Sequence, residues 1–418
     1  MTTNFLAATL CVALGASAAA SQASFEQTTR DLASPDANVR MRAVQLLKEA
    51  AYPEAAVPLA KLVTDPEDAV QLEAIAAELN IFLAEKIVPR KRIGLVIEVR
   101  SQIAADAAFS RGSSAVGPRS VPMDVLTALR AASRDTTPRV ALEALYAFGT
   151  LAPQSGGAER RELLRASGPD LAAMLGAPDQ GVRFAAIRVL GRLFEKRPQD
   201  DPIETTVGDA VITALNEKDR PMREAAIQTL GAMRYERAVQ ALTDLYQYFR
   251  RGDLAGTTLD ALARIGHPSS VPLFTAALSG KDSAFKAIAI EGLARTRDAT
   301  NLAAIEAVLA GERGDSVLLA GTFAVVLLSH APIDPLIEAL LQPRVHDRVR
   351  EYLIEIAPGR TSAFARQLQD PDARLRGQVV DILGLSGDRA ALPLVEPLMN
   401  DQNPVVALAA ERAVARLR

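Results

Sequence analysis

Residues Asp179–Gly191 read DQGVRFAAIRVLG, and the same thirteen-residue phrase returns at Asp219–Gly231, DRPMREAAIQTLG, and at Asp372–Gly384, DARLRGQVVDILG. With the first Asp counted as zero, an apolar residue falls at +3 (Val182, Met222, Leu375) and Arg at +4 (Arg183, Arg223, Arg376). A small or apolar residue stands at +7 (Ala186, Ala226, Val379), and Leu-Gly closes the phrase at +11 and +12. Positions 3, 4, 7 and 11 share one face of a 3.6-residue helix, so each phrase is predicted to be an amphipathic helix. The Asp at zero is suited to accept the orphan N–H groups of the first turn and to face the positive end of the helix dipole. Gly at +12 reads as the left-handed residue that ends the helix.

The phrase recurs in weaker form along the chain. Asp36 opens a copy with Val39, Arg40, Ala43 and Leu47, and Glu67 one with Val70 and Ala74. Thr137 brings Val140, Ala144 and Phe148-Gly149. A poor copy ends in Ile265-Gly266, and Asp282 opens a better one with Phe285, Lys286, Ala289 and Leu293. Asp315 leads to Leu318, Thr322 and Val326; His346 to Val349, Arg350 and Leu353; Asn403 to Val406, Ala410 and Val414. Between them lie second helices such as Ala55–Val63, Ala238–Phe249, Ser270–Leu278, Leu302–Leu309, Pro335–Leu341, Ser362–Leu368 and Ala390–Met399. The unit is therefore helix A, turn, capped helix B, of roughly 30 to 40 residues.

The chain has 418 residues, 49% hydrophobic but only 4% aromatic, with no Trp. Small Ala and Leu side chains suit closely packed helices rather than sheets. With 47 basic and 50 acidic residues the net charge is −3, which disfavours a nucleic-acid groove and gives no reason to expect an anionic membrane surface.

Residues 1–23 hold no Asp, Glu, Lys or Arg. Phe5–Leu14 is a short apolar core followed by small residues, as in a secretory signal with cleavage after Ala18, Ala20 or Ala23. The run is too short for a comfortable membrane span. Cys11, the only cysteine, lies in that core behind Leu10, where a lipidated cysteine would want a small residue. The mature chain is thus expected to be exported, periplasmic or secreted, with no thiol for a disulfide or a metal. The organisation expected is a signal at 1–23, first repeats at 24–79, an irregular insertion and loop at 80–123, and a repeat array over 124–418.

The pattern D-x-x-V-R-x-x-A-x-x-x-L-G, preceded by a helix and a turn such as Asp370-Pro371-Asp372, resembles the HEAT repeat, in the short bacterial variety named after phycobilisome lyases. It covers nearly all of 31–418 outside the insertion. The resemblance implies an all-α, right-handed α-solenoid of about eleven hairpins, an armadillo-like superhelix with B helices on its concave side. It also implies two functions: a non-catalytic scaffold binding a protein or peptide along that face, or a bilin lyase or isomerase. Export and the lack of a mature Cys weigh against the second.

The cations at +4 (Arg40, Arg183, Arg223, Lys286, Arg350, Arg376) recur in register with the caps, so they read as stacking clamps onto the Asp or backbone carbonyls of a neighbouring repeat rather than as an anion ladder. Position +9, expected to point away from the core, mixes signs (Gln45, Arg188, Gln228, Glu291, Asp381, Arg412), which again speaks against nucleic acid and leaves a protein partner open. Two features are left over as candidate partner contacts. One is the basic cluster of the insertion, Arg90, Lys91 and Arg92, with Arg100 nearby. The other is Tyr248, off the apolar stripe of its helix, with Arg250 and Arg251 beside it. His267, His330 and His346 show no paired metal spacing, and no Gly-rich phosphate loop or nucleophile elbow appears, so no catalytic residue, cofactor or metal is expected. Oligomeric state is not legible at this level.

Overall fold

The computed structural model describes residues 25–84, 104–117, 119–198, 200–249 and 252–418. The candidate signal at 1–23 and the residues Arg90, Lys91, Arg92, Arg100, Arg250 and Arg251 lie outside the described residues. Those described are helical throughout, apart from turns and one isolated antiparallel bridge between Leu83 and Val116. None of the helices is long and apolar enough to cross a membrane. The chain divides into two compact units at the Ala152–Pro153 bond.

The first unit holds helices α1 (25–31), α2 (Ala37–Ala50), α3 (Ala56–Ala60), α4 (Asp68–Phe82), α5 (Ala104–Ser110), α6 (Met123–Ala132) and α7 (Pro138–Leu151). Helices α2, α4 and α7 stack in turn as a B layer, with α3 and α6 forming the A layer. The described end of the insertion belongs to this unit. Helix α5 lies along α7, and Ala84 N–H and Gly117 N–H donate to Ala115 O and Phe82 O at 2.8 and 2.7 Å. The stretch expected as a loop from Gly112 begins with a 3-10 turn, Gly112–Ala115, and buries Ala115 and Val116.

The second unit begins with α8 (Gly157–Met174) and α9 (Gln180–Leu193). Four further hairpins follow: α10 (Thr205–Ala214) with α11 (Arg220–Met233), α12 (Val239–Tyr248) with α13 (Ala255–Ile265), α14 (Val271–Leu278) with α15 (Ser283–Arg295), and α16 (Leu302–Leu309) with α17 (Asp315–Ser329). Helix α18 (Asp334–Leu340) pairs with α19 (His346–Ile356). From there the A layer thins. The helix expected at 362–368 is two 3-10 turns, Thr361–Phe364 and Gln367–Gln369, before α20 (Ala373–Ser386). That expected at 390–399 is the single turn α21 (Leu392–Val395) run into a 3-10 segment before α22 (Pro404–Leu417). B helices pack one on the next from α9 to α22, and α22 also touches α8, so the unit's last helix meets its first.

The caps are as the sequence requires. Asp36, Asp179, Asp219, Asp282, Asp372 and Asn403 each accept a first-turn N–H, for example Val182 N–H to Asp179 at 2.9 Å. Two copies depart. Gly314, not Asp315, is the N-cap of α17, so Val317 takes the buried +3 position and Leu318 is exposed. Val345 precedes α19 without a side-chain cap, although Val349 and Leu353 are fully buried as expected.

Of the six +4 cations, Arg40, Arg183, Arg223, Lys286 and Arg376 hold turns, and Arg350 makes no such bond among the described residues. Arg40 donates to Ser34 O and Pro35 O of its own turn and, by Nε and Nη2, to Asp65 of the next repeat at 2.7 and 2.8 Å. Arg376 does the same to Asp370 O, Pro371 O and Asp401. Gln71 reaches Asp135, and Lys286 pairs with Glu312, from the same register. The receiving acid stands two residues before a helix N-cap, where Asp65, Asp135 and Asp401 also accept their own turn's N–H at 2.8–3.0 Å. One carboxylate thus closes its own turn and holds the preceding repeat. Arg183 and Arg223 differ from the expected clamp to a neighbouring repeat: they donate to carbonyls of their own turns, and Arg223 also lies 5.8 Å over the Phe249 ring.

The +12 glycines serve a different purpose from the one expected. Gly191, Gly231 and Gly384 lie inside their helices with ordinary φ. A Cβ would fall 2.7 Å from Thr229 Oγ1 at Gly191, 2.8 Å from Ala261 Cα at Gly231 and 2.6 Å from Ala413 Cβ at Gly384. They are the points where neighbouring B helices cross at backbone distance. The left-handed ends come later, at Arg234 (φ 49°) and Gly387 (φ 67°).

Candidate partner-binding site

In the second unit the C-terminal ends of α9, α11, α13 and α15 and the last turn of α19 surround a cavity of about 430 Å³. Its walls carry Glu195 and Lys196 after α9, Arg234 after α11, Arg264 and Ile265 of α13, Arg295 of α15 with Arg297 beyond it, and Glu351, Ile354 and Glu355 of α19. Basic side chains belong at helix C-termini because the exposed carbonyls there form the negative pole of the helix. Stacking the B helices in register brings those termini together and makes a charged wall out of a local preference.

The charges are tied down. Glu355 accepts from Arg234 at 3.0 Å and from Arg295 Nε at 3.0 Å; Arg295 also pairs with Glu291 at 3.1 Å. Tyr352 donates its hydroxyl proton to Glu291, and Arg348 pairs with Glu291 at 3.1 Å. Arg264 joins Asp260 at 2.9 Å and Glu351 at 3.4 Å. Arg295 lies 5.2 Å over the Phe323 ring, which stacks on Tyr352 at 4.1 Å. Burial works to raise the Glu355 pKa, but the Arg295 and Arg234 guanidiniums outweigh it and hold the carboxyl at about 2. Glu351 is pushed the other way, by burial and by Glu195 nearby, with Arg264 and Arg348 partly opposing. Arg297, in the left-handed region at φ 59°, is exposed on the rim; burial of its stem and the repulsion of Arg234 and Arg295 lower its pKa.

This cluster was not read from the sequence. Glu291, at +9, was expected to face away from the core and is 1% exposed, because α19 packs opposite it and fills that side with Tyr352 and Arg348. A signal was present just past the phrase, in arginines at +13 (Arg192, Arg295) and +15 (Arg234, Arg297). Of the two candidate contacts that were read, the structure describes Tyr248 alone. It is 82% exposed, edge-on to Phe249 at 4.8 Å, while Leu242 of the same helix is fully buried. Tyr248 is not among the residues of the cavity wall. Among the described residues no three of His, Cys, Asp and Glu converge as a metal site would need.

Residues 168–251 match the family model for HEAT repeats. That stretch runs from within α8 to beyond α12 and includes two of the three phrases quoted first. No curated protein matches the sequence. Among solved structures, an engineered protein from a structural genomics consortium is similar over 94% of this chain and 98% of its own, at 17% identity and a TM-score of 0.42. A second engineered protein covers 65% of this chain and 96% of its own at 19% identity and TM-score 0.37. A designed armadillo repeat protein, in complex with the peptide (KR)4, covers 64% of this chain and 98% of its own at 14% identity and TM-score 0.37. Likenesses this loose say nothing of what the chain binds.

Proposed function

We propose that the chain is a non-catalytic scaffold that holds an extended protein or peptide segment against the B-helix face of its second unit. The observation that carries this is the cavity at the helix C-termini, about 430 Å³ in volume, with fixed charges of both signs beside Ile265, Ile354 and Pro358. A peptide offers backbone N–H groups, carbonyls and side chains of either sign, and such a wall answers all three. A polyanion would meet the carboxylates Glu195, Glu236, Glu351 and Glu355 as well as Lys196 and the arginines, and the repulsion would offset most of the attraction. Because Arg295 and Glu355 hold each other, and Arg264 is held by Asp260 and Glu351, little side-chain freedom is lost on binding. The uncharged leader with its apolar core supports placing this scaffold in the cell envelope or outside the cell.

The test is to pan a displayed random-peptide library against residues 24–418 and against the same chain carrying Arg297→Glu and Ile354→Asp. Enrichment of one sequence pattern by the first protein, lost with the second, is the expected outcome. A pattern kept by both moves the site off this cavity. No enrichment at all, or turnover of a substrate by the purified chain, refutes the scaffold reading.

A further inference from the structure

A second, smaller cavity in the same unit lies where α8 begins and α22 ends, and its chemistry is distinct. Gly156 and Gly157 open α8 there. A Cβ on Gly156 would fall 2.5 Å from Arg416 Cα, and Gly157 has φ +53°, so the chain can pass this close to α22 only as glycine. Gly156 is the N-cap and offers no side chain to the first-turn N–H groups of an eighteen-residue helix. With Gly384, Leu385 and Gly387 these glycines form one side of a cavity of about 30 Å³. Arg160, Arg161, Arg197, Arg416 and the single carboxylate Asp200 form the other.

The cations outnumber what neutralises them. Arg160 is 3% exposed and gives Nε and Nη2 to Asp200, each at 2.8 Å, yet its Nη1 is buried with no partner among the described residues. Arg197 spends both terminal nitrogens on carbonyls, Pro153 O at 2.6 Å and Ser155 O at 3.1 Å. Arg416, 9% exposed, donates to Gln154 Oε1 at 2.7 Å and comes only within 3.9 Å of Asp381, and its Nε is buried without a partner among the described residues. Asp381 stands equally far from Arg412. Burial and the repulsion of Arg160 and Arg416 push the Arg197 pKa well down. Burial also pushes Arg416 down, to about 10. Burying several guanidiniums with so few carboxylates in contact is unfavourable unless a further negative charge joins them.

We infer that this cavity is a binding site for one small oxyanion of the phosphate or sulfate class. Its oxygens would meet the guanidiniums of Arg160, Arg161 and Arg416 that line the cavity and the N–H groups at the start of α8. A helix N-terminus and clustered arginines are each suited to such a group, and here they coincide. A cavity of about 30 Å³ is on the scale of a small inorganic ion and too small for a nucleoside. Bound there, the ion would also join the first helix of the unit to the last.

The whole chain, dialysed free of phosphate, is titrated with inorganic phosphate, sulfate and phenyl phosphate at constant ionic strength, with chloride as control. Thermal melting and calorimetry are the readouts. Saturable stabilisation by phosphate or sulfate over chloride is expected, weakened about tenfold or more in Arg416→Gln and a few-fold in Arg161→Gln. Equal binding of phenyl phosphate assigns the site to the phosphoryl group of a larger molecule; its exclusion assigns it to the free ion, and both support the site. If Arg416→Gln does not fold, the exposed Arg161→Gln decides. Equal melting in phosphate and chloride overturns the inference, as does unchanged phosphate affinity in the variants that fold.

Discussion

Single side chains in this protein carry opposite pH signatures. Glu355 has its folded pKa held at about 2 by Arg295 and Arg234, below the ordinary glutamate value. Its contribution is therefore fully present above roughly pH 4.5 and is lost as pH falls toward 2. Removing the charge in Glu355→Gln leaves Arg295 short of a partner, and about 3 kcal/mol of stability at pH 7 should go with it. Urea unfolding at pH 7 and pH 3 checks this: the gap between wild type and variant should narrow sharply at pH 3, and a constant gap would rule out the ion pair as its source. Glu78 is the reverse case. It is fully buried on α4 with no partner for either oxygen among the described residues, and burial drives its pKa well up. Its carboxyl therefore costs stability as pH rises above the unfolded value.

At the scale of the helix, two glycines of α20 separate propensity from packing. A Cβ at Gly377 meets nothing nearer than Val406 Cγ2 at 3.9 Å, whereas at Gly384 it strikes Ala413 Cβ at 2.6 Å and Cα at 2.7 Å. Gly377→Ala should stabilise by about 0.5–1 kcal/mol, because alanine is the better helix former and nothing is displaced. Gly384→Ala should destabilise by about 1–3 kcal/mol, because α20 and α22 are forced apart. Chemical denaturation of the two variants checks the pair, and a Gly384→Ala protein as stable as Gly377→Ala would mean that the crossing relaxes freely. The clamps belong to this scale too. The Arg40–Asp65 and Arg376–Asp401 bridges join one hairpin to the next through a turn, and no hairpin alone contains both partners.

Across the second unit, contacts far apart in sequence replace the nearest-neighbour logic of an open array. Arg416 reaches Gln154 over 262 positions, and Arg234 reaches Glu355 over 121. In an open stack each repeat feels only its neighbours. Here, deleting residues 404–418 should lower hydrogen-exchange protection in α20, which loses its cover, and also in the first half of α8, which loses Arg416. Mass-spectrometric exchange on the intact and shortened chains tests this. A change confined to α20 would show that the α8–α22 contact contributes nothing to stability.

The sequence by itself determined the helical period, the Asp caps, the order of A and B helices through most of the chain, and the +4 clamp. Each follows from residues within one phrase, or from a repeat that sets every copy against the next in the same way. It did not separate the two purposes a glycine can serve. Gly384 and Gly387 are both glycines near the end of α20, and only the approach of Ala413 distinguishes a crossing point from a left-handed cap. Nor did it reveal that Glu291 is buried, that Arg234 and Glu355 meet, or that Arg160, Arg197 and Arg416 line one cavity. Those pairings join repeats that are not neighbours, and no local pattern records them. They exist because the stack winds until α19 faces α15 and α22 returns to α8, and only the tertiary structure settles that.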